Sequence, residues 1–532
     1  MAAVALATSY ALLPLYSSNQ NHHFLIGLAR AGEGFLADDW LSATADPFPL
    51  FSAYVTFVHR HLTDWLHYVV YYALFGAYGY GLMRVAEEVR PLGDAAAGTA
   101  ARAAFLAVLC ILHNEVFGYL ALLDLARMPW WQMTHWGVAE QEIFGHGAFQ
   151  ASSFGMLLPL AIALALAGRR RSGALLASSV LLVHFSYALT AAALVSAFMW
   201  IEFRESRRLA GALAVGGLAL LLALPAAIDV LVRLGPTSPE TSTAAAAILA
   251  RHLPQETAVT YWFGWKALLQ ALWIVAGMTI AAGTPLLPMM AAPFAAGLLL
   301  SLVQVAIGSP RLALLFPWRV SVLLVPIATA LVVWSAVAAW VEVAAATRRR
   351  RIVAMSTVLT VVSMLVGAVR MTLHFAYFYG DRRVTSATDR FLPERVRMDF
   401  ARTLEADALP AMRFVLETAK RGDLYLIPPE LERFRTVSEA PALADLKSHP
   451  YKDAEVLEWR RRLDRTIDFF RSGGSCDAAG ALAADYHVTH LVADRRIQPG
   501  ACAVWEKMYA DEAFAVFRIR PVPDATLGFS SQ

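Results

Sequence analysis

The chain has 532 residues, of which 58% are hydrophobic and 16% charged; the formal net charge is +3 and the mean hydropathy +0.50. A water-soluble protein of this size could not hide so much apolar side chain, so a wholly soluble protein is excluded and a chain embedded in lipid is expected. The net charge decides little, because in a membrane protein the placement of Lys and Arg matters more than their sum.

From the amino end, the apolar stretch Met1–Tyr16 lacks the basic leader and cleavage site of a secretion signal, so it reads as a short first span. Long, nearly uncharged runs follow at Ala103–Leu123, Phe154–Ala167, Leu209–Val232, Ala267–Met289, Ala291–Ile307, Val320–Val341 and Ile352–Val369. Several reach the roughly 20 residues that a helix needs to cross hydrocarbon. Basic clusters at Arg84–Arg102, Arg169–Arg171, Arg204–Arg208 and Arg348–Arg351 belong on the cytoplasmic side of a bacterial inner membrane by the positive-inside rule. The segment Ser172–Phe203 leaves that side and returns to it within about 32 residues, so it must form two short helices meeting near His184–Tyr187, around a cavity or thinned region. The fold class that results is a polytopic α-helical membrane protein of about eleven transmembrane helices over residues 1–377, amino end inside.

Residues 378–532 fall outside the membrane and drop to a soluble composition. They alternate predicted strands (Asp423–Ile427, Ala442–Lys447, Val488–Ala493, Phe514–Ile519) with predicted helices (Ala454–Arg471, Asp477–Asp485), the order of a small extracytoplasmic α/β domain. Its two cysteines, Cys476 and Cys502, could pair in an oxidising compartment, whereas Cys110 lies within a span.

Candidate chemistry falls on the outer loops. The first carries Asn19-Gln20-Asn21-His22-His23 and then Gly34-Phe35-Leu36-Ala37-Asp38-Asp39-Trp40. Adjacent acids near a bilayer can serve as a general base or hold Mg or Mn beside a phosphate; the plainer alternative is a helix cap and a solvated acid. The helix-sized piece His23–Ala31 would lay Phe24, Leu25 and Leu28, with the later Phe35, on the membrane interface. In the second loop, Trp130, Trp131 and Trp136 are either an interfacial belt or, with Glu140, Glu142 and His146, a sugar-binding surface. His113, Asn114 and Glu115 fall within a span and His184 within the short hairpin, so these polar groups should face the bundle interior. No cluster has the ligand spacing of a zinc site. Arg311 and Arg319, in Ser309-Pro310-Arg311-Leu312-Ala313-Leu314-Leu315-Phe316-Pro317-Trp318-Arg319, would stand on the outer face, where arginines are scarce. They either grip a phosphate or snorkel to head groups.

This layout of a many-spanning bundle, an acidic first loop, a Trp-rich second loop, a mid-bundle hairpin and an external α/β domain resembles the GT-C superfamily of integral membrane glycosyltransferases. The segments Ile427–Arg435, Lys447–Asp453 and Glu458–Arg461 also look like external domains of bacterial proteins of this general kind. The resemblance implies inverting transfer of a sugar from a polyprenyl-phosphate donor to a glycan, lipid or protein acceptor at the outer membrane face. It would make Asp38 or Asp39 the base or metal ligand, Arg311 and Arg319 the holders of the lipid phosphate, and His22, His23, Trp136, Glu140, Glu142, His146 and His184 substrate-binding residues. Ala37-Asp38-Asp39-Trp40 departs from the Asp-x-Asp spacing of that superfamily. The alternatives are a transporter, flippase or glycan-assembly factor with an external partner-binding domain, or a polymerase or ligase of lipid-linked glycans. Membrane lipid, not nucleic acid, is the expected surroundings.

Overall fold

A computed structural model describes residues 2–114, 132–380, 390–392, 394, 405–494, 497, 502 and 505–520. Six of the described helices are long and apolar enough to cross a membrane: Ala95–Leu112, Phe185–Ser206, Leu209–Leu234, Leu286–Ile307, Pro310–Glu342 and Ala346–Tyr379. Two shorter apolar helices, Ala151–Leu166 and Trp265–Ile280, lie among them. The expectation of about eleven crossings also counted segments below that length, and part of Ala103–Leu123 lies outside the described residues. Lipid contact is legible in the side chains that the protein leaves bare. Leu220, Leu221 and Leu231 on helix Leu209–Leu234, and Met355 and Leu365 on helix Ala346–Tyr379, are all more than half exposed. So much apolar surface is stable only against hydrocarbon. By contrast, helix Ser321–Glu342 buries most of its length and forms the centre of the bundle.

The ends of the bundle hold the basic clusters together by ion pairs. Arg349 bonds Asp94, Arg90 bonds Glu342 at 2.7 Å, and Arg170 reaches Glu202 and Glu205, so clusters far apart in sequence share one end in pairs.

Two expectations change. The first span is a helix of nine residues, Ala2–Tyr10, buried against helices Trp65–Val89 and Ala346–Tyr379. Its rise of about 13 Å is less than half of a ~30 Å hydrocarbon core, so it is a plug and cannot cross alone. Likewise Phe24, Leu25 and Leu28 are not interfacial but at most 2% exposed. Helix Leu25–Ala31 is roofed by helix Pro49–His61, because Gly27 lets the two backbones close up; a Cβ there would stand 2.7 Å from that of Val55.

The carboxyl-terminal part is a four-stranded sheet in the order β1 (Tyr425–Leu426), β2 (His490–Asp494), β4 (Phe514–Ile519), β3 (Trp505–Ala510), parallel at β1–β2 and antiparallel elsewhere. Helices Leu409–Thr418, Asp453–Arg471 and Cys476–Tyr486 complete it. The predicted strand Ala442–Lys447 is reduced to a single bridge from Ala442 to Tyr425, and β3 and helix Leu409–Thr418 were not predicted. Cys476 and Cys502 form a disulfide.

Candidate functional site

The loop that carries Asp39 is clamped by the carboxyl-terminal domain. Asp39 is 1% exposed; its Oδ1 accepts from Leu41 N (2.8 Å), and its Oδ2 from Arg435 Nε (2.7 Å) and Ala442 N (2.9 Å). Arg435 completes the network by bonding Asp445 and donating to the Ala442 carbonyl at 2.8 Å. Three charges are thus buried together with their hydrogen bonds satisfied, the condition under which buried ions are tolerated. Asp39, expected as a base or metal ligand, is thus bonded at both oxygens and buried under the carboxyl-terminal domain. Asp38 turns elsewhere, 3.8 Å from Arg421 Nε. Among the described residues no group of three His, Cys, Asp or Glu side chains could hold a metal ion.

A second contact beside it is sensitive to protons. Phe35 N donates to the Glu439 carbonyl at 2.8 Å, and the Glu439 and Glu33 carboxyls meet, with His59 bonded to Glu33 on the other side. Burial first, then the hydrogen bond and charge of Glu33, push the Glu439 carboxyl up to about 7 from an ordinary 4.5. The folded protein therefore keeps a proton that the unfolded chain releases over that window. The stability from this group is present below about pH 4.5 and is lost as pH rises through about 7. Glu439→Gln should flatten the fall in apparent Tm between about pH 5 and about pH 8 in detergent; an unchanged slope would contradict the shared proton.

Three loops of the bundle and the carboxyl-terminal domain line a cavity of about 650 Å³. The first loop gives it Ser18 and Asn19, and the second gives Trp136, Glu140, Gln141 and His146. The stretch between helices Pro239–His252 and Trp265–Ile280 adds Glu256, Tyr261 and Trp262, and the carboxyl-terminal domain adds Lys447. Aromatic faces therefore alternate with carboxamides, carboxylates and ammonium groups, a wall suited to a ring-shaped ligand rich in hydroxyls. Gln141 is 7% exposed and its carboxamide oxygen has no hydrogen-bond partner among the described residues, a buried acceptor that costs free energy unless something donates to it.

The second loop is held in an unusual backbone. Ala139, Glu140, Gly145, His146 and Gly147 all have positive φ, three of them non-glycine. Tertiary bonds fix it: Gln270 Nε2 donates to the Trp136 carbonyl (2.9 Å), and Val138 N donates to Ser321 Oγ (2.8 Å). Glu142 has a fully buried carboxylate that accepts from Tyr10 OH at 2.5 Å and from the His146 backbone N–H. Burial pushes Glu142 up to about 7, against the lowering effect of the Tyr10, His146 and Trp136 hydrogen bonds.

Of the expected substrate-binding residues, Trp136, Glu140 and His146 line the cavity and Glu142 stands behind it. Glu140 is 3.4 Å from Lys266 Nζ. His22, His23 and His184 go elsewhere. They run with His449 as a ladder of rings, centroids 5.2 to 6.0 Å apart, between bundle and carboxyl-terminal domain. Burial holds His22 and His23 well below the usual imidazole range, so the ladder is neutral near pH 7. The structure also separates the two arginines. Arg311 donates to the Pro239 carbonyl (3.1 Å) and Thr243 Oγ1 (2.8 Å), tying its segment to helix Pro239–His252. Arg319 bonds Ser186 and lies over the rings of Tyr187 and Phe316. It follows Trp318, whose ring packs on the cavity-lining Trp262 with centroids 5.1 Å apart. His113 and Asn114 are internal structural bonds, to Tyr78 and Ser363. Glu115, Trp130 and Trp131 lie outside the described residues.

Sequence reasoning missed Gln141, Glu256, Tyr261, Trp262, Lys266 and Lys447. The pair Tyr261-Trp262 followed by Lys266 is an aromatic-and-basic signal of the same kind as the second loop; nothing local marks Lys447.

Residues 406–466 match a family described as a domain of unknown function, DUF6798. No curated protein and no solved structure matches the chain. The matched stretch contains Arg435, Asp445 and Lys447, that is, the clamp on the first loop and the carboxyl-terminal domain's contribution to the cavity.

Proposed function

We propose that this chain is a membrane glycosyltransferase that moves a sugar from a polyprenyl-phosphate donor to an acceptor at the outer face of the cytoplasmic membrane. The observation that carries the reading is the cavity of about 650 Å³, walled by Trp136, Tyr261 and Trp262 together with Gln141, Glu256 and His146, at the base of the extracytoplasmic domain. Its aromatic faces suit stacking on sugar rings and its polar groups suit hydroxyls. The exposed side chains Tyr261, which lines it, and Phe263 and Trp265, which follow closely in sequence, have the character of a bilayer interface, where the polyprenyl chain of a donor would lie. Positive charge for the phosphate comes from Lys447 and Lys266 in the wall and from Arg319, the residue after the Trp318 that packs on Trp262 of the wall, in place of the pair Arg311 and Arg319. No step of the reading uses Asp39, whose oxygens are occupied.

Binding of a polyprenyl phosphate to the purified protein tests this. Lys447→Ala and Arg319→Ala should each weaken it by about 1.5 to 3 kcal/mol, the worth of a hydrogen bond to a charged group. Arg319→Lys should fall between, keeping charge but losing the planar fork. Arg311→Ala should leave affinity unchanged. Equal affinity for wild type, Lys447→Ala and Arg319→Ala would remove the phosphate site and with it the lipid-linked donor.

A further inference from the structure

We infer that the donor sugar taken by this cavity carries a primary ammonium group, which Glu256 holds while Lys447 faces the phosphate; the inference rests on the transferase reading and names the substrate class of that same site. The carboxylates Glu140 and Glu256 and the ammonium groups of Lys266 and Lys447 line the cavity. Glu140 and Lys266 answer each other, 3.4 Å apart and both well exposed. Glu256 and Lys447 have no ion-pair partner among the described residues, which leaves one negative and one positive charge for a ligand. Both residues are held in place. Beside Glu256, the buried Thr257 hydroxyl bonds to the Ala250 carbonyl at 2.7 Å and fixes the turn. Gln141 Nε2 donates to Glu256 Oε2 at 3.4 Å, while Glu256 Oε1 has no hydrogen-bond partner among the described residues. Lys447 is placed by the clamp: its backbone N–H donates to Asp445 Oδ1 at 2.7 Å, the same carboxylate that pairs with Arg435.

The charges left over in the wall match a ligand of two ends. A neutral sugar would strip water from the Glu256 carboxylate and return hydroxyl hydrogen bonds but no charge, whereas a cation compensates the carboxylate as it is desolvated. An ammonium group brings three N–H donors, and one of them meets Glu256 Oε1. The rings of Trp136, Tyr261 and Trp262 line the same cavity, and aromatic faces attract ammonium groups as well as sugar rings. Lys447 has the opposite sign, as the single negative charge of a sugar phosphodiester requires. A polyprenyl-phosphate amino sugar satisfies both charges at once. Its acetylated form or a plain hexose satisfies Lys447 and leaves Glu256 uncompensated.

The test measures binding to the full-length protein in detergent. The ligands are polyprenyl phosphate alone and a series of polyprenyl-phosphate hexoses with an amine on each ring carbon in turn, each beside its N-acetyl form and its hydroxyl parent. Wild type should bind at least one amine-bearing donor about tenfold or more tighter than both counterparts, the worth of a hydrogen bond to a charged group. Glu256→Gln keeps the side-chain shape and should erase that preference, with polyprenyl phosphate affinity within about twofold of wild type. Glu256→Lys should reverse it, so that the amine binds more weakly than its hydroxyl parent. A merely structural role for Glu256 would weaken all the ligands together and leave the preference intact. Wild type that binds amine, acetylated and hydroxyl donors alike at every position would overturn the amine while leaving the lipid-linked donor in place, and this series decides even where a Glu256 variant does not fold. A folded Glu256→Gln protein that keeps the preference would overturn the assignment to Glu256. Wild type that binds neither polyprenyl phosphate nor any donor of the series overturns both readings.

Discussion

Asp39→Ala is expected to release the carboxyl-terminal domain from the bundle. Arg435 would be left at a buried site with only Asp445 to balance it, and the backbone N–H groups of Leu41 and Ala442 would lose their acceptor. Breaking a buried ion network by removing one partner costs about 3 to 5 kcal/mol, a large share of the stability of most domains. Asp39→Asn should be nearly as damaging, because its amide presents a donor where the aspartate offers only acceptors. Apparent Tm and the rate at which protease cuts the external domain both read the effect directly. Adding Arg435→Met to Asp39→Ala should cost less than the sum of the two single changes, since the unpaired guanidinium disappears. An Asp39→Ala protein with wild-type Tm and protease resistance that has lost only turnover would return Asp39 to the chemistry.

Gly367→Ala should fail to give folded protein. A Cβ at Gly367 would collide with the Thr8 carbonyl oxygen and stand 2.9 Å from Ser9 Cα. Those are backbone atoms of helix Ala2–Tyr10, and unlike a flexible side chain they cannot turn aside. The two helices would have to separate along their packed length, which exceeds the ~1 to 3 kcal/mol of ordinary overpacking. Gly217→Ala is the matched control, because nothing lies within 4 Å of its added methyl. It should be neutral or stabilising by up to about 1 kcal/mol, as expected for glycine replaced in a helix. The check is the yield of monodisperse protein in detergent for each variant; equal yields would mean that helices Ala2–Tyr10 and Ala346–Tyr379 do not pack as described.

The loops show where local reading loses its grip. Asp38-Asp39 beside Trp40 looks like paired acids facing solvent or substrate, but whether a carboxylate is free depends on what is brought to it. Here Arg435, almost 400 residues on, is brought to Asp39. Arg311 and Arg319 are eight residues apart and so invite one role. A tight turn passing through left-handed Phe316 sends them to different neighbours, Thr243 and Ser186. The second loop was read better, because its combination of Trp136, Glu140 and His146 states a ligand chemistry directly. Its left-handed backbone at His146 was visible only as glycines on either side.

Composition and hydropathy by themselves determined that the protein is helical and lipid-embedded, since runs of apolar residues have no stable alternative in water or in hydrocarbon. They also marked out a polar carboxyl-terminal region, where β2, β4 and the helices near 453–471 and 476–486 follow from local periodicity. Only the tertiary structure decided that helix Ala2–Tyr10 is a buried plug, that helix Leu25–Ala31 is roofed, and that Asp39 is sealed by Arg435. It alone placed Lys447 and Trp262 in one cavity with His146. Hydrophobic periodicity is a short-range property that fixes what an element is. Ion pairing, close glycine contacts and cavity walls depend on residues hundreds of positions apart, and only the folded chain brings those together.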